Sequence, residues 1–457
     1  MLETTTKERT DFTEGSVAGS VLKMGLPSMI GFLAQHLYSV ADMFWVSRLP
    51  NGENGVAAIT FFANLLWILF AFNSLIGPGS VAIISRRYGE KDFERTEAAI
   101  KETIILKIFF GVLLNLVGLI FLPDLLHLLG ARGEAYDLAV QYGRIMILGL
   151  PILYSVYSIF TALRCVANPK LAMALMIGSN ILNVILAPLL MFGWMGLPKW
   201  GIAGAGWATV ISVTITLIVG IWLFFSNHVN VRLHLRSKVK VSIASMWKMV
   251  WLGVPAWLGE LSFSLSRLLI TPIVAGFGTG VVAAYGTGMQ VFGFGISIIV
   301  GIGLGLSSLI GHNIGGKKFE RAKATADHAI LISLGIMAAM GILTFAFAGQ
   351  YVRIFFDNEE TVKHGITLLR VFAISFPFFG AFIMLEQIHL GVGLNAPFMV
   401  FSIVHSWLFQ VVPAVIATQF LGFTEVSVWW ILTCSGIVTT TLFYAYYRRG
   451  RWLTAKV

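Results

Sequence analysis

Apolar residues form long runs along the whole chain, and short polar segments separate one run from the next. A run of about 20 apolar residues is long enough for a helix to cross the hydrocarbon core of a bilayer. The spacing predicts twelve such helices, at residues 19–47, 55–79, 99–123, 136–162, 169–193, 202–226, 243–276, 281–310, 325–347, 362–392, 397–419 and 426–447. Because the number of crossings is even, both ends of the chain should lie on the same side of the membrane.

The composition indicates that lipid is the solvent of this chain. Of its 457 residues, 57% are hydrophobic and only 12% are charged, which is too little polar surface for a water-soluble protein of this length. A helix satisfies its own backbone hydrogen bonds in lipid, so we expect an all-α integral membrane protein. The net charge of +10 comes from basic residues between the apolar runs, and it therefore does not indicate binding to nucleic acid.

Basic residues are distributed unequally between the two sides of the predicted membrane. The side of the chain ends carries most of them, namely Arg86, Arg87, Lys91, Arg95, Lys101, Arg164, Lys170, Arg232, Arg236, Lys238, Lys240, Lys248, Lys317, Lys318, Arg321, Lys323, Arg448, Arg449, Arg451 and Lys456. The opposite segments hold only Arg48, Arg132, Lys199, Arg353 and Lys363. By the positive-inside rule, both ends are cytoplasmic and the protein crosses the cytoplasmic (inner) membrane of the cell several times.

Two distant loops of the chain have nearly the same sequence. Gly89-Glu-Lys-Asp-Phe-Glu-Arg95 reappears as Gly315-Gly-Lys-Lys-Phe-Glu-Arg321, almost half the chain length later. Gly25-Leu-Pro27 likewise matches Gly253-Val-Pro255. We interpret the chain as a tandem duplication of a six-helix unit. Because six is an even number, both copies share one topology, and a pseudo-two-fold axis along the membrane normal should relate the two bundles.

These patterns divide the chain into five parts. The most polar internal stretch joins the two bundles and is expected to be a cytoplasmic linker. The predicted parts are a cytoplasmic N-terminal tail at 1–16, an N-lobe at 17–227, the linker at 228–241, a C-lobe at 242–448 and a cytoplasmic C-terminal tail at 449–457. The N-terminal tail has no apolar core of the kind that a signal peptide contains.

One carboxylate lies within the first apolar run. An ionised acid in lipid surroundings is costly, so Asp42 must either pair with a cation or accept a proton. Tyr38 lies four residues earlier on the same helical face, where its hydroxyl can bond the acid. The alternative is that Asp42 lies near the extracellular interface and is simply hydrated.

Two amides, Asn180 and Asn183, lie one turn apart in the fifth apolar run. Buried amides form hydrogen bonds, so Asn183 is a candidate to orient Asp42 or to bind Na⁺ together with it. The alternative is that both amides are ordinary polar contacts between helices.

The second half of the chain has its own charged residues inside apolar runs. Glu260 and Arg267 lie two turns apart on one face of the seventh helix, and Glu386 lies in the tenth. If Glu260 or Glu386 faces a cavity that Asn180 also lines, the acid can attract cationic substrates, and Arg267 can hold an acid when no substrate is bound. Alternatively, an acid pairs with Arg267 and holds the second bundle together. Pro27, in the helix of Asp42, is a candidate hinge because proline weakens a helix.

Motifs of common catalytic sites are missing from the sequence. It contains no phosphate-binding loop, no zinc-protease motif and no nucleophile elbow. We therefore expect no enzyme activity, no cofactor and no metal apart from a transported H⁺ or Na⁺. Any transport must therefore draw its energy from an ion gradient or from no energy source.

Several motifs together resemble the multidrug and toxic compound extrusion (MATE) family of the polysaccharide-exporter superfamily. Leu26-Pro27 followed by Leu37-Tyr-Ser-Val-Ala-Asp42 is similar to the first helix of that family. Arg86-Arg-Tyr-Gly-Glu-Lys-Asp92, with its copy at Gly315, is similar to the repeated loop of the family. Leu163-Arg164 and Gly391-Val-Gly393 resemble the ends of its fourth and tenth helices. The similarity covers essentially the whole chain, and the spacing is most similar to the DinF-like branch.

The resemblance implies two six-helix bundles in a V, which export amphipathic organic cations by alternating access in exchange for H⁺ or, with less support, Na⁺. In the DinF-like branch, the ion-coupling residues match Asp42, Tyr38, Asn183 and Thr209. A second carboxylate of that site is replaced by Ala187, which favours H⁺ because one acid is enough for a proton.

The chain also departs from the pattern of a sodium-coupled branch. The acids that the NorM-type branch carries in its seventh and tenth helices are replaced by Phe263 and Phe379. One alternative function remains open, namely a flippase for a lipid-linked oligosaccharide or a lipid from the same superfamily. We expect small organic cations and the bilayer as partners, no nucleic acid, and a monomer.

Overall fold

The computed structural model describes residues 11–234 and 241–454. Residues 1–10, 235–240 and 455–457, which belong to the predicted tails and linker, lie outside the described part. The described chain folds into α1 (Val17–Ser47), α2 (Gly52–Gly89), α3 (Phe93–Leu128), α4 (Gly133–Leu148 and Leu150–Cys165), α5 (Pro169–Phe192), α6 (Ile202–Phe225), α7 (Ile243–Ala275), α8 (Thr279–Gly315), α9 (Phe319–Arg353), α10 (Glu359–Val392), α11 (Ala396–Phe420) and α12 (Glu425–Tyr447).

Each predicted crossing coincides with one of these helices. In the part of the chain that the structure describes, eleven helices are long and apolar enough to cross a bilayer. The two segments of α4, bent by 53°, make the twelfth crossing when they are counted together. The prediction of an all-α membrane protein with twelve crossings is therefore confirmed. Several helices extend past their predicted ends, as α8 does to Gly315, because polar residues continue a helix beyond the apolar layer.

Large apolar side chains cover the outside of the helices. Ile120 is 69% exposed, Leu331 is 65% exposed and Ile342 is 69% exposed. A continuous apolar exterior of this kind is unfavourable in water, whereas lipid accommodates it. The outer surface therefore faces the bilayer.

Two crossings are interrupted. α2 consists of the segments Gly52–Asn73 and Gly77–Gly89, and α4 bends at Gly149, next to Pro151. Proline cannot donate a hydrogen bond to the preceding turn, which accounts for the bend in α4. By contrast, α1 is one helix from Val17 to Ser47 and passes through Pro27 without a break. The hinge at Pro27 therefore stays a prediction.

We call α1–α6 the N-lobe and α7–α12 the C-lobe. The lobes meet mainly where α1 packs on α8 and where the second segment of α2 packs on α7, α8 and α10. The start of α1 and the end of α12 lie on the same side of the molecule. We call that side the terminal face and the other side the opposite face.

The closest approaches between the lobes lie in the half of the molecule next to the terminal face. A Cβ atom added at Gly305 of α8 would lie 2.6 Å from the backbone of Met24 in α1. A Cβ atom at Gly253 of α7 would collide in the same way with the Leu75 carbonyl oxygen. Only glycine lets two helix backbones approach so closely. The lobes are therefore closed against each other at the terminal face.

Candidate ion-coupling site

Asp42 is buried even though it lies only five residues before the end of α1. Its side chain is 8% exposed, and its Oδ1 atom has no hydrogen-bond partner in the described part of the chain. Trp45, one turn further on, packs against Phe192 and Trp194 with ring centroids 6.3 Å and 6.0 Å away. These three rings pack together at the end of α1, near the opposite face.

The other three residues of the predicted site meet next to this helix. The Tyr38 hydroxyl and the Thr209 Oγ1 atom are 3.1 Å apart, and the Asn183 Nδ2 atom donates to Thr209 Oγ1 at 3.0 Å. Asn183 Nδ2 also lies 3.5 Å from the Tyr38 hydroxyl. The three side chains therefore form a triangle that joins α1, α5 and α6.

The triangle leaves an acceptor oxygen free. Both close contacts of Asn183 use its Nδ2 atom, and its Oδ1 atom is buried without a partner among the described residues. Together with Asp42 Oδ1, the site presents two buried oxygen atoms that lack donors. Buried acceptors of this kind are normally satisfied, so the arrangement suits a proton or a small cation.

Two tyrosines of this region were not identified from the sequence. Tyr142 of α4 is buried, and its hydroxyl lies within electrostatic reach of Asp42 and Tyr38. Tyr157 accepts a hydrogen bond of 2.8 Å from Gln35 Nε2. A tyrosine inside an apolar run was the available signal, but such residues are common and α4 is distant in sequence from α1.

Asn180 lies one turn from Asn183 but outside the triangle. It is half-buried, and its Nδ2 atom is buried with no partner in the described part of the chain. The cavity role of Asn180 therefore stays a prediction.

The charged residues of the C-lobe separate into two groups. Glu260 and Glu386 are half-buried and lie close enough for their negative charges to repel each other. Arg267 is exposed, and within the described residues it forms no ion pair with either acid. The structure thus brings the two acids together. Among the described residues, it does not contain the pair of Arg267 with an acid that the sequence analysis gave as an alternative.

The two positions that lack acids in the C-lobe hold core aromatics. Phe263 packs against Phe382 and His405 at 5.8 Å and 5.4 Å between ring centroids. Phe379 packs against Phe292 at 4.7 Å. Aromatic packing therefore occupies the places where the NorM-type pattern has its carboxylates.

Lys107 is a buried cation that the sequence analysis did not single out. Its ammonium donates to the Asn73 carbonyl oxygen at 2.8 Å and to the Asn73 side chain, and it lies 5.7 Å from the ring centroid of Tyr154. Asn73 ends the first segment of α2. Lys107 thus bonds the Asn73 carbonyl oxygen at the interruption of α2. A lysine inside the third apolar run was a usable signal, because charges in membrane spans usually have a specific role.

We expect Thr209→Val to lower the stability of the folded protein by about 1–3 kcal/mol, because the Tyr38 hydroxyl and the Asn183 amide lose their shared partner. The thermal unfolding midpoint in detergent measures this effect. Thr214→Val is the matched control in the same helix, since the Thr214 hydroxyl bonds the Val210 carbonyl oxygen at 2.6 Å. Equal shifts for the two variants would show that the triangle adds nothing.

The family model of MatE matches the chain twice, at residues 27–189 and 255–416. Among curated proteins, the probable multidrug resistance protein YoeA of Bacillus subtilis (strain 168) is 28% identical over 425 residues, which are 93% of this chain and 92% of the relative. The multidrug export protein MepA of Staphylococcus aureus (strain MSSA476) is 27% identical over 363 residues, which are 79% of this chain and 78% of the relative.

Solved structures share the fold. A MOP superfamily transporter from Pyrococcus furiosus Vc1 (DSM3638), with a binding pocket of reverse polarity, matches with a TM-score of 0.90 at 23% identity, over 99% of this chain and 100% of that chain. An outward-facing multidrug resistance MATE family transporter matches with a TM-score of 0.88 at 24% identity, over 97% and 98% of the two chains. The family model covers more than half of the sequence, and its two matches follow the duplication. This multi-pass membrane protein therefore belongs to the MatE family, the multidrug and toxic compound extrusion transporters.

Proposed function

We propose that this chain is a secondary active antiporter of the DinF-like branch that exports amphipathic organic cations in exchange for H⁺, with Asp42 as the coupling carboxylate. Two relatives, named as a probable multidrug resistance protein and a multidrug export protein, support the substrate class. The observation that carries the proposal is the buried, unpaired carboxylate of Asp42 next to the triangle of Tyr38, Asn183 and Thr209.

The site suits a proton better than a sodium ion. Na⁺ needs several oxygen ligands in a fixed cage, and a second carboxylate is replaced here by Ala187, which is buried among apolar side chains. Among the described residues of this site, the buried oxygens without a partner are Asp42 Oδ1 and Asn183 Oδ1. A single carboxylate is sufficient to bind and release a proton, so we favour H⁺ over Na⁺.

Coupling follows from the cost of burying charge. An ionised Asp42 in apolar surroundings is unfavourable unless a cation compensates it, and either a proton or a cationic substrate reduces that cost. The two ligands therefore lower each other's affinity, and by thermodynamic linkage each does so by the same factor. A proton that enters Asp42 from the opposite face thus promotes release of the substrate on that side.

The arrangement of the lobes supports alternating access from an outward-facing state. The closest contacts between the lobes lie near the terminal face, which the excess of basic residues predicts to be cytoplasmic. Further along α1, Leu37 is 70% exposed and Val40 is 64% exposed. In this proposal, the cavity opens toward the opposite face, and the return step separates the lobes at the terminal face.

The half-buried acids of the C-lobe favour cations as cargo. Glu260 and Glu386 lie near each other, so a positively charged substrate would relieve their repulsion. A flippase for a phosphate-bearing lipid would instead need a cationic cavity. The buried ammonium of Lys107 is engaged by Asn73.

Transport by the purified protein in proteoliposomes tests the function. We expect a pH gradient without Na⁺ to drive a fluorescent cationic dye across the membrane, and we expect a Na⁺ gradient at fixed pH to drive none. Equal transport under a Na⁺ gradient would contradict H⁺ coupling. Lipid-probe translocation without dye transport would favour the flippase.

A further inference from the structure

The two copies of the duplicated loop have the same backbone but different partners. Lys91 and Lys317 occupy equivalent positions with φ of 60° and 56°. The following amide donates to the end of the preceding helix in both copies, from Asp92 to the Arg87 carbonyl oxygen at 3.1 Å and from Lys318 to the Asn313 carbonyl oxygen at 2.8 Å. The turn itself is therefore identical. The charge at its fourth position is reversed, from Asp92 to Lys318.

In the N-lobe copy, the fourth and seventh residues of the loop bind each other. Asp92 caps α3, because its Oδ1 atom accepts a hydrogen bond of 3.0 Å from the Arg95 amide. The Arg95 guanidinium lies 3.4 Å from the same carboxylate and is 68% exposed. Asp92 and Arg95, the equivalents of Lys318 and Arg321, thus interact with each other within the loop.

The C-lobe copy binds another segment of the chain. The ammonium of Lys318 donates to the Thr13 carbonyl oxygen at 3.0 Å and to Thr13 Oγ1 at 2.8 Å. The guanidinium of Arg321 donates to the carbonyl oxygens of Gly15 and Glu14, both at 2.8 Å, and to that of Phe12 at 3.2 Å. Arg321 is the equivalent of Arg95 and Lys318 is that of Asp92, so equivalent positions of the two loops have different partners.

The bound segment, Asp11–Ser16, is attached to the N-lobe. It continues directly into α1, which Ser16 caps. The Phe12 side chain is buried in the core, and the Asp11 carboxylate lies 3.5 Å from the Lys91 ammonium. Partial burial opposes ionisation of Asp11, but hydrogen bonds from Thr13 and the charge of Lys91 outweigh it and lower the pKa of the carboxyl group. We call this segment the strap.

The strap lies at the point where the lobes are closest. A Cβ atom added at Gly89 would collide with the His312 carbonyl oxygen, and one added at Gly315 would collide with the Arg86 carbonyl oxygen. His312 of α8 also contacts the Cys165 carbonyl oxygen of α4 through its Nε2 atom at 2.6 Å. The strap of the N-lobe thus binds Lys318 and Arg321 of the C-lobe beside this close approach.

We propose that Asp11–Ser16 is a strap that holds the terminal face closed and must leave Lys318 and Arg321 before the two lobes can separate on that side. This proposal rests on the alternating access of the proposed function and adds a contact that must break when the terminal face opens. The proposal does not depend on which ion or residue drives the cycle, because it concerns only the opening of the terminal face.

Hydrogen–deuterium exchange of the full chain in lipid nanodiscs, without substrate and at one pH, tests the strap. In the double variant Lys318→Ala, Arg321→Ala, exchange at residues 79–89 and 305–315 is expected to rise about tenfold, as the loss of charge-assisted hydrogen bonds predicts. Arg95→Ala is the matched control at the equivalent loop position and should exchange as the wild type does. Removal of residues 1–15 is a second variant, which leaves the C-lobe loop intact and should reproduce the rise.

Any of three results would contradict the proposed role of the strap. Exchange at 79–89 and 305–315 in both strap variants could stay at the wild-type rate. The increase could be confined to the start of α1. Alternatively, Arg95→Ala could raise exchange as much as the double variant does. None of these results depends on dye transport, so the proposal for the strap and the proposal of antiport can be contradicted independently.

Discussion

Asp42→Asn is expected to reduce pH-gradient-driven dye efflux to the level of empty liposomes. Asparagine has the shape of aspartate but cannot exchange a proton, so the proposed coupling step is lost while the packing near Trp45 is kept. Replacing a buried carboxylate by a neutral amide also lowers the cost of burying it. We therefore expect the thermal unfolding midpoint to stay unchanged or to rise.

Asp124→Asn is the matched control for that experiment. Asp124 is an exposed acid in α3 of the same lobe, so its replacement changes the net charge by the same amount. It should transport dye at the wild-type rate. If Asp42→Asn still transports dye in proportion to the pH gradient, Asp42 has no part in the coupling.

Gly305→Val is expected to prevent the lobes from closing at the terminal face and to reduce transport about a hundredfold. The first side-chain carbon would lie 2.6 Å from the backbone of Met24, which cannot move aside as a flexible side chain could. Overpacking of this kind costs about 3 kcal/mol, which corresponds to roughly two orders of magnitude in the population of the closed state. Dye transport and hydrogen–deuterium exchange at residues 79–89 measure the effect.

Gly335→Val separates this steric effect from the general cost of placing valine in a helix. A Cβ atom at Gly335 in α9 would have no neighbour within 4 Å, so the variant should transport as the wild type does. If both variants lose transport equally, the close approach of Gly305 to α1 is not required.

The membrane crossings and the duplication could be predicted because they depend on local features of the chain. A crossing needs only an apolar run of sufficient length, and twelve such runs are visible in the sequence. The repeated loops at Gly89 and Gly315 indicate the duplication in the same direct way. Asp42, Tyr38 and Asn183 were recognisable as candidates because a polar group in an apolar run needs a partner.

The partners of those residues were decided by packing between helices that are distant in sequence. The triangle depends on how α5 and α6 lie against α1, and the position of Tyr142 depends on the fold of α4. The proximity of Glu260 to Glu386 likewise required the packing of the C-lobe, because helical periodicity defines a face but not the helix opposite it. The contact between Lys107 and the interruption of α2 could not be predicted from the sequence for the same reason.

The sequence by itself therefore determined that this is a duplicated twelve-helix membrane protein with an acid in its first helix. The tertiary structure alone decided that this acid is buried, that an amide oxygen near it is free, and that Asp11–Ser16 lies across the two lobes. The length and polarity of a segment are properties of neighbouring residues, so the sequence alone predicts the crossings. Burial and contact arise only when surfaces from distant segments exclude solvent or lipid together.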